Sequence, residues 1–179
     1  MQNFQQVAGP ERGRLLSPTR VIVFSLLSNG FYVFYWAYLT WKQLASETHE
    51  THYPVWHGFS LLVPFYGVFR MHQHLSVISE VAMRAGLQSL SPGAGIAMYI
   101  VANVLGFGSN STSDVTAVLV LFAISTVLYT VVMTQSQRAL NGVWLAKYPA
   151  EANSAPLSWV EVVLAVLGLL VWASAFVPA

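Results

Sequence analysis

Five histidines, His49, His52, His57, His72 and His74, fall between residues 49 and 74, and a cluster of imidazoles invites a metal ion or a haem. The spacing argues against both. His72 and His74 are two residues apart, which on a helix turns their side chains about 200° from each other. His57 precedes His72 by a helical rise of roughly 22 Å, too far to clamp one group. His49 and His52, three apart with Glu47 and Glu50 close by, share one helix face and are the remaining metal candidates. Two imidazoles and a carboxylate without a defined spacing do not make a metal signature. The expectation is no metal, no cofactor, and histidines solvated at an interface.

A second group consists of polar residues set in apolar stretches: Asn29, His57, Ser60, Asn103, Ser125, Thr126 and Thr130. Such groups act as packing glue, bonding across helices for about 0.6 to 2 kcal/mol each. Alternatively, several at one depth line a solute path, and Asn29, Asn103 and the Ser125–Thr126 pair are the ones placed to meet. Glu161 is the one carboxylate near an apolar interior. Ser158-Trp159-Val160-Glu161 reads as a capping box, giving that carboxylate a structural task at a helix start. The chain has no glycine-rich phosphate loop, no paired carboxylates in apolar segments, and no serine or histidine beside an acid there. No enzymatic activity is expected.

The elements that hold these residues belong to an unusual chain. Its 179 residues are 55% hydrophobic and only 8% charged, with a mean hydropathy of +0.56; a soluble domain carries about 25% charged residues. A water-facing surface cannot be covered with so few charges, so the solvent is lipid. The formal net charge is +1 and the basic residues are scattered singly, which excludes a nucleic-acid partner. Cysteine is absent, which excludes disulfides, thiolate metal sites and cysteine nucleophiles.

Apolar segments cover residues 21–41, 53–69, 93–107, 115–134 and 157–177. A bilayer core about 30 Å thick takes roughly 20 helical residues, so the fourth and fifth are long enough, the second is marginal and the third short. The first is longer and more aromatic than a cleavable signal sequence and reads as a retained signal-anchor helix. The expected fold is an all-α integral membrane helix bundle of about five transmembrane helices. Residues 1–19 form a polar cytoplasmic segment and 20–179 a single bundle. With five spans, Arg12, Arg14, Arg20, Arg70, Arg84, Arg138 and Lys147 fall on one side and Lys42 on the other, placing the N-terminus in the cytoplasm of a cell-membrane protein. In a rival topology the first two segments are re-entrant, broken at Asn29-Gly30 and Pro64, and all eight basic residues lie inside. Five spans are preferred, because the aromatic run after Gly30 looks like one helix face and re-entrant backbone must be shielded from lipid by protein.

Phe24-Ser25-Leu26-Leu27 recurs as Phe59-Ser60-Leu61-Leu62, each followed by a helix breaker, a Phe-Tyr pair and a polar extension ending in Ser-Glu. Two consecutive single spans that repeat must point in opposite directions, as in the inverted repeats of transporters. Arg20, Ser28-Asn29-Gly30-Phe31-Tyr32, Tyr35-Trp36, Trp41-Lys42, Pro64-Phe65-Tyr66 and Arg70 carry a further pattern. Over about residues 20–85 the chain resembles the bacterial multi-pass membrane family catalogued as domain of unknown function 4234. The resemblance implies a bacterial membrane location and several helices, and brings no assigned activity.

Gly93 with Ala97, and Ala102 with Gly106, give small-xxx-small spacing that permits close helix approach. Met71, Leu75, Ile78, Ala82 and Ala85 form an apolar stripe past the second segment, and 135–148 is similarly amphipathic. Both extensions are expected on the cytoplasmic side, resting on headgroups, docking a partner, or packing on each other. The functional expectation is a small non-enzymatic membrane scaffold or accessory component, with lipid, other membrane proteins or further copies of itself as partners. The alternative is a small-solute transporter or pore acting as an oligomer.

Overall fold

The computed structural model describes residues 13–48, 54–63 and 65–174. It is all-α: α1 (Pro18–Leu27), α2 (Tyr32–Thr48), α3 (Pro54–Ser60), α4 (Tyr66–Arg84), α5 (Pro92–Gly108), α6 (Val115–Lys147) and α7 (Trp159–Ser174). A two-residue parallel ladder, β1 (Arg14–Leu15) with β2 (Asn153–Ser154), ties the segments before α1 and α7 together. Helix starts follow local chemistry. Ser91 Oγ accepts from Ala94 N at 3.2 Å ahead of Pro92, and Asp114 Oδ1 accepts from Thr116 N at 2.8 Å.

Neither of the first two apolar segments is one helix. Helix α1 stops because Asn29 (φ 57°) and Gly30 (φ 85°) both take left-handed backbone, and Gly30 N–H closes back onto the Ser25 carbonyl at 2.9 Å. Ser28 Oγ then accepts from Tyr32 N at 2.9 Å and starts α2. The chain has reversed by this point: Phe24 stacks on Tyr32 at 5.9 Å, and Gln43 Nε2 donates to the Arg14 carbonyl at 2.9 Å. The second segment breaks between α3 and α4, where Phe65 has φ 62° and Gly67 packs so closely on Leu61 that a Cβ would lie 2.7 Å from its carbonyl oxygen. Helix α3 runs back along α2, with Gly58 against Phe34 and Tyr38, and the two hairpin tips meet, Leu61 and Leu62 beside Asn29 and Phe31.

The repeated Phe-Ser-Leu-Leu blocks thus each end at a hairpin tip. Because each copy contains its own reversal, the copies point the same way, correcting the inverted pair expected of two single spans. The aromatic run after Gly30 does form a helix face, but one that begins after the turn.

Helix α6 is parallel to α2 and antiparallel to α5. Its first half presents Val120, Ile124, Val127 and Val131 outward while Ser125, Thr126 and Thr130 are buried. This arrangement is inside out relative to a water-soluble helix. Its second half is enclosed by α1, α2 and α4 in a core of Trp36, Trp41, Met71, Leu75, Ile78, Leu140 and Trp144. The amphipathic extensions therefore pack on each other. The stripe Met71, Leu75, Ile78 and Ala82 is buried as its spacing predicts, and 135–148 supplies core rather than a free docking face. His74 is also a correction. It is not solvated but buried between Trp36 and Trp41, with Nε2 2.8 Å from Thr40 Oγ1. Among the described residues α6 alone is long and apolar enough to cross a membrane unaided; α1, α5 and α7 are shorter apolar helices.

Candidate functional site

The hairpin tips border an open cavity of about 250 Å³ between α2, α5 and α6. Asn29 and Gly30 come from the first tip, Leu61 and Leu62 from the second, Asn103 and Gly106 from α5, and Ser125 and Thr126 from α6. Four of the seven polar residues singled out in the apolar stretches, Asn29, Asn103, Ser125 and Thr126, therefore stand around one space. His57 is on α3, and its side chain, like His49 and His52, lies outside the described residues.

Each polar wall has its own reason. Asn103 Nδ2 donates to the Tyr99 carbonyl at 2.8 Å within α5. Ser125 Oγ donates to the Ala102 carbonyl at 2.8 Å, a true helix-to-helix bond. That bond needs the close approach that the small pair Ala102 and Gly106 provides, since a Cβ on Gly106 would sit 3.2 Å from Ser125 Oγ. The other small pair is unused at Gly93, which faces open space. Asn29 differs: it is 7% exposed, and its Oδ1 is buried with no hydrogen-bond partner. Such an orphaned acceptor costs about 1–3 kcal/mol. Phe31, Phe107, Phe122 and Tyr129 complete the wall, and no charged side chain lines it.

The base of the first hairpin carries the ion pair of Arg20 with the fully buried Glu161. Glu161 Oε1 accepts from Arg20 Nε at 2.8 Å and from Tyr32 OH at 3.0 Å, and Oε2 accepts from Arg20 Nη2 and from Ser158 N at 2.8 Å. The capping box is therefore present, with Val160 N–H donating to Ser158 Oγ at 3.2 Å as its other half. Arg20, which precedes the first apolar segment, also donates to the carbonyls of Ala155 at 2.6 Å and Pro156 at 2.7 Å. Its hydrogen bonding to Glu161 outweighs burial and holds the guanidinium pKa above its ordinary value. The role of Arg20 was missed because a lone basic residue ahead of an apolar run reads as an orientation signal.

A second set of polar groups laces α2 to α6. Trp36 Nε1 donates to Gln137 Oε1 at 2.9 Å, Gln137 Nε2 to Asn141 Oδ1 at 2.9 Å, and Asn141 Nδ2 to the Leu16 carbonyl at 2.7 Å. Trp144 Nε1 reaches Gln43 at 3.3 Å, and Lys147 and Tyr148 both bond Glu47. These contacts satisfy one another and bind α2, α6 and the segment before α1 together.

Comparison with known family models, curated proteins and solved structures finds no match to this chain.

Proposed function

We propose that the chain is a multi-pass protein of the bacterial cell membrane with its N-terminus in the cytoplasm. In this reading α5, α6 and α7 cross the bilayer, while the α1–α2 and α3–α4 hairpins enter from the cytoplasmic face and return to it. Three observations support this topology over five spans. Helix α1 has ten residues, a length of about 15 Å, half of a 30 Å hydrocarbon core. The tip at Gly30 abuts Thr126 and Tyr129, part-way along the apolar half of α6. With both hairpins returning, all eight Lys and Arg residues fall on one side. The first returning tip packs on α6 at Thr126 and Tyr129 and on α7 at Gly168, the cover by protein that irregular backbone in lipid requires. The resemblance of residues 20–85 to the bacterial membrane family is, on this reading, a resemblance of the doubled hairpin.

Within that body we propose a non-enzymatic carrier or pore for a small solute, acting as an oligomer because 179 residues supply few crossing helices. The observation that carries it is the convergence of Asn29, Asn103, Ser125 and Thr126 on one cavity at hairpin tips, the placement used where broken helices form a midplane site. An accessory-scaffold role is the second reading, favoured by the exposed polar face of α4 at Gln73, Glu80 and Arg84. Reconstituted vesicles decide between them. Stopped-flow light scattering should show urea, acetamide or glycerol entering faster than in protein-free vesicles, and more slowly with Asn29→Gly. Rates equal to protein-free vesicles for all three would overturn the carrier.

A further inference from the structure

We propose that the cleft between α2, α3 and α7 holds one anionic phospholipid of the cytoplasmic leaflet, its phosphate beside Arg14 and Lys42 and an acyl chain along α7. This rests on the membrane topology proposed above and adds a resident lipid to it. Two spaces adjoin in the cleft. The first, of about 360 Å³, lies at the base of the first hairpin and is lined by Arg14, Arg20, Lys42, Gln43 and Ser158, with no acidic side chain on its wall. The second, of about 490 Å³, is lined by Phe34, Val55, Phe59, Leu62 and Leu164 and carries no charged residue. Tyr35, Tyr38 and Val160 line both, so the basic space opens directly onto the apolar one.

That order of surfaces is the order of groups in a phospholipid. Arg20 is tied to Glu161, so Arg14 and Lys42 are the basic side chains on the wall that meet a phosphate. A basic pocket between helices at the cytoplasmic boundary attracts an anionic headgroup, and a zwitterionic one far less. Tyr35 and Tyr38 stand where the wall changes from polar to apolar, the level at which amphipathic rings lie in a bilayer. Beyond them Phe31 and Leu164 carry the apolar wall on into a third space beside Leu167, Leu170 and Val171. From Val160 to Val171 helix α7 rises about 16 Å, close to the depth of one leaflet of a core about 30 Å thick. A membrane phospholipid supplies a chain of that reach, and a free phosphate ester does not. Any bilayer lipid wets an apolar groove, but only one with a negative head also meets the basic end.

Native mass spectrometry of the purified full chain reads the bound lipid directly. Titrated with phosphatidylglycerol or phosphatidylcholine of identical acyl chains in one detergent, the unaltered chain should bind phosphatidylglycerol about tenfold more tightly. Arg14→Gln/Lys42→Gln should bring the two affinities together, while Arg84→Gln on the exposed face of α4 should leave the preference as it is. Val55→Trp, on an exposed part of the groove wall, fills the space of the chain and should weaken both lipids alike. Equal binding of both lipids to the unaltered chain, or a preference that survives Arg14→Gln/Lys42→Gln, would overturn the proposal. So would displacement of phosphatidylglycerol by an equal concentration of glycerol 3-phosphate, which would assign the basic space to a free phosphate ester. The comparison on the unaltered chain needs no variant, so it decides even where the double variant does not fold. Equal lipid binding by a chain that resists extraction from membranes with alkaline carbonate removes the lipid and keeps the membrane reading, whereas extraction by carbonate removes the membrane reading itself.

Discussion

The Nε of Arg20 lies 2.8 Å from Oε1 of Glu161 across 141 residues of sequence, and the Glu161 carboxylate is fully buried. This contact fastens the start of α1 to the first turn of α7, so the first hairpin is anchored to a crossing helix at its base. Glu161 at the same time caps α7 through Ser158 N and receives Tyr32 OH at the start of α2. One carboxylate thus fixes three elements, and its charge is compensated where it is buried.

Removing one partner of that pair should be far worse than removing both. Arg20→Met leaves Glu161 buried and uncompensated, an expected loss of about 3–5 kcal/mol, while the double variant Arg20→Met/Glu161→Gln should recover more than half of it. Thermal unfolding of the purified proteins in one detergent checks this. A double variant as unstable as Arg20→Met would show that the carboxylate's charge is not the issue.

Helix α7 approaches α1 through Gly168, where a Cβ would collide with the Leu27 carbonyl and the Ser28 backbone. Gly168→Ala should therefore push α7 off the first hairpin and cost about 1–3 kcal/mol. Gly93→Ala, with open space around it, is expected to be neutral or slightly stabilising. Equal melting temperatures for the two variants would contradict the close packing at Gly168.

At the first tip the cost is conformational rather than steric. A Cβ on Gly30 would have ordinary room, 3.6 Å from the Tyr129 ring, but φ is 85°. Gly30→Ala should lose about 1–2 kcal/mol without changing the packing of α6. Wild-type stability in Gly30→Ala would mean that the chain does not turn there.

Trp36 and Gln137 test the polar lacing of α2 to α6. Trp36→Phe keeps most of the ring volume but leaves Gln137 Oε1 without the indole donor in a fully buried place. The expected cost is about 1–3 kcal/mol. Gln137→Leu in the Trp36→Phe background should restore part of it, and no restoration would argue that shape, not the hydrogen bond, matters at this contact.

Helix type and the cavity residues were legible because both rest on local rules. Proline and serine mark the helix starts, and a polar residue in an apolar run must face inward, which brings Asn103, Ser125 and Thr126 to one place. The course of the chain at Asn29-Gly30 was not legible from apolar length alone. The segment from 21 to 41 has the same composition whether it is one helix or two limbs of a hairpin, and only the two consecutive left-handed residues separate these cases. The burial of His74 and the partnership of Arg20 with Glu161 depend on contacts between helices distant in sequence, for which spacing within one helix carries no signal.

The account stands on the two hairpins returning to the face they enter. The chain has no cysteine of its own, so one introduced between α2 and α3 by Thr51→Cys can be probed alone with a membrane-impermeant maleimide, beside Ser113→Cys between α5 and α6 as the external reference. The prediction is that Ser113→Cys labels in intact cells while Thr51→Cys labels only when the cytoplasmic face is exposed. Labelling of Thr51→Cys from outside intact cells would contradict it and restore the five-span arrangement.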